Sequence, residues 1–322
     1  MPNPKIVIPD DYPPVMAPSE AYKKLTARTP VEYYGTLPGG EDALIERMAD
    51  AEIAINIRSS CQFTDNVFAR CPRLKLVSIW GTGTDNIDLG AAARRGVTVT
   101  NTPGVSAISI AEHCLALLLA VARSIPRVDA EVRQGQWPRG GSSQMHGKTL
   151  GVIGLGAIGR QFARLGTGIG MKVIAWTMHP NAALARELGA ELVERDELLR
   201  SSDVVSLHLR LSPETRGWLG RRELALLKPA AIFINTARGA IVDEAALIEA
   251  LRERRIAAAG IDVYETEPLP PGHPMTKLDN VVLTPHSAGV TPEALEAGLA
   301  LSVENIWNFL AGQPTNVVAG PK

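Results

Sequence analysis

The chain has few cysteines, almost no net charge and no long apolar run, and each shortage removes a class of protein. Its three cysteines, Cys61, Cys71 and Cys114, are odd in number and form no C-x-x-C pair. A disulfide framework is therefore not expected, and a reducing cytoplasm is the plain setting. Lysine and arginine total 33 against 34 aspartates and glutamates, a formal net charge of −1. That balance invites neither a nucleic-acid backbone nor an anionic membrane. The most apolar stretch, Cys114 to Ala122, is too short to span a bilayer and follows Glu112 and His113. The first residues, MPNPKIVIPDDY, hold no apolar core of signal-peptide length. No histidine spacing suggests a metal site, and no internal repeat stands out. What remains is a globular composition, 45% hydrophobic and 21% charged, in a chain long enough for two domains.

The most informative stretch is Thr149 to Arg160, TLGVIGLGAIGR. An apolar run (Leu150, Val152, Ile153) meets Gly154, Gly156 and Gly159 at G-x-G-x-x-G spacing. Gly154 allows a sharp turn out of a strand. Gly156 allows bare backbone to approach a pyrophosphate, and Gly159 allows the next helix to pack close to the sheet. The helix that opens at Ala157 and Ile158 then offers unpaired N–H groups and a partial positive charge to the phosphates.

Short apolar runs alternate with helical segments on both sides of this loop. Before it, runs at Lys5–Pro9, Ile53–Ile57, Leu76–Trp80 and Val97–Thr100 predict a small parallel α/β unit over residues 1–100. Ser106 to Arg123 reads as one long buried helix. It either crosses between domains and joins a subunit interface, or is a core helix of one domain. After the loop, six strands are expected: Leu150–Ile153, Lys172–Trp176, Val204–His208, Ala231–Asn235, Ala257–Ile261 and Val281–Leu283. Pro292 to Leu310 predicts a final amphipathic helix capped by Thr291.

Ligands on open α/β sheets bind beyond the carboxyl ends of the strands. Three strand ends there deliver Thr236-Ala237-Arg238-Gly239, Asp262-Val263-Tyr264-Glu265-Thr266-Glu267-Pro268 and His286-Ser287-Ala288-Gly289. An arginine pairs with a carboxylate through two parallel N–H bonds. A histidine moves a proton near neutral pH, and an adjacent carboxylate favours its charged form. Together these are a working set for redox chemistry on a hydroxy acid.

With these pieces in order the chain resembles the D-isomer-specific 2-hydroxyacid dehydrogenase family. The matching motifs are Gly81-Thr82-Gly83-Thr84-Asp85-Asn86, Asn101-Thr102-Pro103-Gly104, Ala111-Glu112-His113, the glycine loop, Asn235-Thr236-Ala237-Arg238-Gly239, Asp262-Val263-Tyr264 with Glu267-Pro268, and Pro285-His286. The resemblance implies a Rossmann-type doubly wound parallel sheet, residues 102–289, that binds NAD(P). It also implies a smaller flavodoxin-like α/β substrate domain, residues 1–101 and 290–322, with the site between the two and a homodimer held through the cofactor domains. By the same resemblance His286 is the acid/base, Glu267 its partner, and Arg238 the substrate-carboxylate and carbonyl ligand. Thr82 and Gly83 hold the substrate carboxylate through their amides. Arg58 either contacts substrate or is a surface arginine. Cofactor contacts are expected from Gly154, Gly156, Ala157, Ile158, Gly159, Thr177, His208, Thr236, Ala237, Arg238, Asp262, His286, Ala288 and Gly289. The partner is a small 2-keto or 2-hydroxy acid.

One departure bears on the cofactor. The family places an aspartate one residue past the aromatic that ends the second strand, where it binds the adenosine ribose. Thr177 stands there instead. A 2′-phosphate is then not repelled, with His179 or Arg210 at hand to assist it, while Thr177 suits a plain ribose equally; the reading is NAD or NADP. Glu267 is ionisable, whereas formate dehydrogenases of this fold carry glutamine, which points to substrates that exchange a hydroxyl proton. Two other functions resemble this pattern: a cofactor-sensing corepressor, which lacks a recruiting module here, and phosphite oxidation. His113 is expected to be structural, and His146, His179 and His273 to be surface residues. The chain ends at Lys322, soon after the last expected helix, so a regulatory domain of the phosphoglycerate dehydrogenase kind is not expected.

Overall fold

The computed structural model describes residues 4–57 and 61–321. The chain forms two compact units, Met1–Ser106 with Thr291–Lys322, and Ala107–Val290.

The first unit contains β1 (Ile6–Ile8), β2 (Val31–Tyr33), β3 (Ile53–Asn56), β4 (Leu76–Ile79) and β5 (Thr98–Thr100). With the C-terminal strand Val317–Ala319, the sheet order is Val317–Ala319, β5, β4, β3, β1, β2. Every pairing is parallel except that of the C-terminal strand with β5. β1, β3, β4 and β5 are buried along their whole length, which is why they read as unbroken apolar runs. β2 and the C-terminal strand lie at the two edges and bury no residue fully, so no run marks them in the sequence. The helix Pro292–Leu310 begins at its expected cap, where Ala294 N donates to Thr291 Oγ1 at 3.2 Å. It buries Leu299, Val303 and Ile306 with Ile6, Ile8 and Ile55 of the sheet.

The second unit contains β6 (Thr149–Ile153), β7 (Lys172–Trp176), β8 (Ala190–Leu192), β9 (Val204–Leu207), β10 (Ile232–Asn235), β11 (Ala258–Ile261) and β12 (Val281–Leu283). They form a fully parallel sheet in the order β12-β11-β10-β9-β6-β7-β8. The chain winds outward from β6 to β8, crosses back, and winds the other way from β9. β6 and β9 therefore flank the point where the winding reverses, the place where doubly wound sheets bind ligands. The sheet has seven strands, not the six expected. The extra one, β8, is a three-residue edge strand, AEL, with an exposed Glu191, too short and too polar to show periodicity.

The long apolar helix spans Ala107–Ala122 and stops short of Arg123. Ser124, at φ +51°, turns the chain into a second helix, Ile125–Arg133, with Pro126 in its first turn. The buried side of the first helix (Ala111, Cys114, Leu118) packs with Leu150, Val152, Phe162 and Ile234 in one core. All three cysteines are buried and free. Among the described residues no single helix is long and apolar enough to cross a membrane.

The middle of β6 leaves no room for a side chain. A Cβ on Gly151 would stand 2.2 Å from Ser202 Oγ and 2.7 Å from Leu198 Cδ2. Ser202 has little freedom to yield, since its hydroxyl donates to Leu198 O at 2.6 Å. Gly151→Ala is expected to destabilise the protein by about 1–3 kcal/mol through overpacking, read from the midpoint of urea unfolding.

Candidate dinucleotide and acid/base site

At the carboxyl end of β6 each glycine of the loop meets a different constraint. Gly154 has φ +99°, and a Cβ there would lie 2.7 Å from His208 O. A Cβ on Gly159 would lie 2.0 Å from Gly154 O, so the helix Ala157–Gly168 could not seat against the turn. Gly156 caps that helix, and a Cβ there would meet nothing within 4 Å. Its glycine is not required by the protein's own packing, and the space above it is open. The first intrahelical bond is Arg160 N to Gly156 O at 3.1 Å. The amides of Ala157, Ile158 and Gly159 precede it and form the electropositive end of the helix.

His208 follows β9 on the other side of the winding reversal. Its Nε2 is 2.9 Å from Ser206 Oγ, and its buried Nδ1 has no hydrogen-bond partner among the described residues. Burial pushes its pKa down to about 3, so the ring is neutral. An orphaned buried nitrogen beside an open glycine cradle fits a dinucleotide at this edge. Thr177 is half-buried directly after β7, and Trp176, Glu194, Arg195 and Asp196 line a cavity beside it. Arg195 lies over the ring of Trp218, which stacks on Trp176, and neither Arg195 nor Glu194 was singled out in the sequence.

β10, β11 and β12 are adjacent and parallel, so their carboxyl ends share one edge of the sheet. Asn235, the last residue of β10, braces the arginine loop: its Nδ2 donates to Arg238 O at 3.1 Å and its Oδ1 accepts from Ala237 N at 3.0 Å. The next residue, Gly239, touches the loop after β11 so closely that a Cβ would fall 2.0 Å from Tyr264 C. After β11, Glu267 Oε1 accepts from Tyr264 N at 2.9 Å, and Oε2 lies 2.6 Å from His286 Nδ1. Burial alone would raise the Glu267 pKa. The His286 bond and charge, with the Arg238 charge, outweigh it and hold the carboxyl below its ordinary range. The structure therefore brings Arg238, Glu267 and His286 together. With Nδ1 held by a carboxylate, Nε2 is the nitrogen left to exchange a proton.

His286 itself stands at φ +51°, a conformation unusual outside glycine. Its N–H donates to Asp262 O at 2.8 Å, while Ser287 N and Ala288 N donate to the Asp262 carboxylate at 2.9 and 3.0 Å. Asp262 is fully buried, and both its oxygens are engaged within the chain. Of the other expected contacts, Thr236 is buried with its hydroxyl 3.1 Å from Cys114 Sγ, and Ala288 is buried beside half-buried Gly289. In the first unit the turn at Thr82 and Gly83 is half-buried. There Gly81 has φ +122° and Asn101 Nδ2 donates to Thr82 O at 2.9 Å. Arg58 lies outside the described residues. His273 is not a surface residue: its side chain is 16% exposed and its Nε2 is 3.1 Å from Glu244 Oε1. A long-range pairing of this kind leaves no local sequence signal. Sequence reasoning also missed Thr284, whose hydroxyl stands between His113 and Asp262.

This chain is 41% identical over 285 residues to a D-3-phosphoglycerate dehydrogenase of Methanocaldococcus jannaschii, covering 87% of this chain and 54% of that protein. It thus spans about half the length of the first curated relatives it matches. It is 44% identical over 263 residues to a glyoxylate reductase of Aeropyrum pernix, covering 79% of this chain and 78% of the relative. Among solved structures it is similar to an acyclic imino acid reductase in complex with NADPH and D-Arg. That match has a TM-score of 0.89 and 34% identity, and covers 98% of this chain and 99% of the other. Residues 115–288 match the NAD binding domain of D-isomer specific 2-hydroxyacid dehydrogenases. The chain belongs to the D-isomer-specific 2-hydroxyacid dehydrogenase family.

Proposed function

We propose that the chain is an NAD(P)-dependent D-2-hydroxyacid dehydrogenase that interconverts a 2-keto acid and the matching D-2-hydroxy acid. The observation that carries this reading is the 2.6 Å contact of His286 Nδ1 with Glu267 Oε2, at the strand ends that also hold Arg238. The unit Ala107–Val290 holds the cofactor and the unit Met1–Ser106 with Thr291–Lys322 contributes to the substrate. The working form in this reading is a cytoplasmic homodimer.

Gly154, Gly156, the amides of Ala157, Ile158 and Gly159, and His208 are the residues that would hold the cofactor, which when bound supplies or accepts the hydride at C2. Thr177, Thr236, Ala237, Ala288 and Gly289 line the same ends of the strands. Arg238 pairs with the substrate carboxylate and polarises the carbonyl, and in the other unit the amides of Thr82 and Gly83 are offered as carboxylate donors, a role the keto-acid panel with variants of that turn would test separately. In reduction, His286 gives the Nε2 proton to the growing alkoxide, while Glu267 keeps hold of Nδ1 and balances the charge. In oxidation the same nitrogen removes the hydroxyl proton. Thr177 brings no negative charge to the ribose, so both NADH and NADPH are accepted in this reading.

A panel of 2-keto acids, glyoxylate, hydroxypyruvate and larger homologues, assayed with NADH and NADPH tests the reading; no turnover with any of them refutes it. His286→Ala is expected to lower kcat by about 10²- to 10⁴-fold on the best substrate. Unchanged turnover would remove His286 from the mechanism.

Two cofactor variants follow from the same geometry. Gly156→Ala has room for its Cβ in the free protein, so urea unfolding should match the parent while the Kd for NADH, from fluorescence titration, rises by about tenfold or more. Thr177→Asp restores a ribose acid and is expected to shift the ratio of kcat/KM values toward NADH by about tenfold or more.

A further inference from the structure

The residues that hold His286 in place form a chain of contacts that reaches into the helix Ala107–Ala122. His113 Nε2 lies 3.0 Å from Thr284 Oγ1. Thr284 Oγ1 donates to Asp262 Oδ1 at 2.6 Å. Asp262 in turn receives the N–H groups of His286, Ser287 and Ala288, the first at its carbonyl and the other two at its carboxylate. Three consecutive amides of the histidine turn thus rest on one residue.

We infer that Thr284 is a positioning residue for His286, acting through Asp262, and that His113 sets the direction of the Thr284 hydroxyl. A hydroxyl has a single hydrogen, and that of Thr284 goes to Asp262. The contact with His113 therefore requires His113 to donate, which places a proton on His113 Nε2. Turning the hydroxyl hydrogen toward His113 would set it against the Nε2–H and leave Asp262 Oδ1 without that donor, while His113 Nε2 itself lies 3.7 Å from that oxygen, beyond hydrogen-bond distance. Asp262 has no solvent exposure, so a lost donor is not replaced by bulk water. The carboxylate is in this way held in one orientation, and with it the peptide groups of residues 286–288. That support matters because His286 is at φ +51°, a conformation unusual outside glycine that persists only when its surroundings over-determine it. Tyr264 adds a brace on the same residue, donating from its hydroxyl to Thr284 O at 2.8 Å.

The catalytic consequence rests on the dehydrogenase reading, but the proton assignment does not. The experiment therefore has two arms. In the first, nitrogen-15 histidine NMR of the full chain identifies whether His113 Nε2 carries a proton. Nε2–H is expected in the parent and in Thr284→Ser. In Thr284→Val, whose methyl fills the place of the hydroxyl, the His113 and His286 signals should both move. A His113 Nε2 without a proton in the parent, or a His286 signal untouched by Thr284→Val, overturns the proposal whether or not any keto acid is turned over.

In the second arm, Thr284→Val is expected to lower kcat by about 10- to 100-fold, as a small misplacement of an acid/base group does, with the KM for the reduced cofactor changed less than about threefold. Thr284→Ser should restore kcat to within about threefold. A merely structural role would lower the concentration of folded enzyme without this split, and Thr284→Ser failing to rescue a folded protein would overturn the proposal. A parent that turns over no keto acid refutes the dehydrogenase reading alone, because the NMR arm still decides the contact.

Discussion

The end of the sheet that carries His286 and Glu267 depends on one buried carboxylate. Taking Asp262 out of water is costly, and a carboxylate without partners would not persist there. It is retained because two backbone amides and a hydroxyl converge on it from the segment that follows β12. The same bonds dictate the path of that segment. Since β11 and β12 are parallel neighbours, the end of one strand is delivered beside the end of the other, and Asp262 ties the two ends together. His286 is carried on the tie. Its unusual backbone angle is thus a product of the bonding that surrounds it, and its direction toward Glu267 follows from that backbone.

A second close approach joins the arginine loop to this assembly. Gly239 sits so near the Tyr264–Glu265 peptide that any side chain would force the loops after β10 and β11 apart. Tyr264 N meanwhile holds one oxygen of Glu267 while the other meets His286. A guanidinium, a carboxylate and an imidazole drawn from three strands are therefore linked by backbone contacts as well as by charge. In the proposed reaction, groups preorganised in this way stabilise developing charge without rearranging, where flexible side chains in water would have to reorient. At the opposite flank of the winding reversal the logic is inverse. Gly154 and Gly159 are packed against backbone, while Gly156 faces open space, so the loop is rigid in its own bonds and empty where a ligand would come.

The parts of this arrangement differ in how far the sequence displays them. Parallel strands buried on both faces must be apolar throughout, so β6, β9 and β10 are visible as runs, and the glycine spacing marks the turn that follows β6. The edge strands β2 and β8 and the C-terminal strand are three residues each and half-solvated, so neither length nor periodicity distinguishes them from loops. Arg238, Glu267 and His286 are legible because each follows an apolar strand within a few residues, in a motif that resembles the family's. His113 and Thr284 are not. They stand 171 positions apart, and a threonine ending a strand is what β-propensity alone would place there. The same holds for His273 and Glu244, where a pairing across 29 positions turns an expected surface histidine into a half-buried one.

The contrast has a physical basis that extends beyond these residues. Backbone requirements leave a local trace, because glycine, proline and β-branched side chains answer to the conformation of their own residue. Hydrogen-bond requirements between side chains leave none, because a donor and an acceptor can be supplied from any two points the fold brings within 3 Å. Groups that touch a ligand lie at strand ends, whose positions the backbone pattern discloses. Groups that hold those in place lie one contact further away, where only the packed structure says which side chain faces which. In this chain the boundary between the two kinds runs through Asp262, whose motif is readable but whose bonds to Thr284, Ser287 and Ala288 are not.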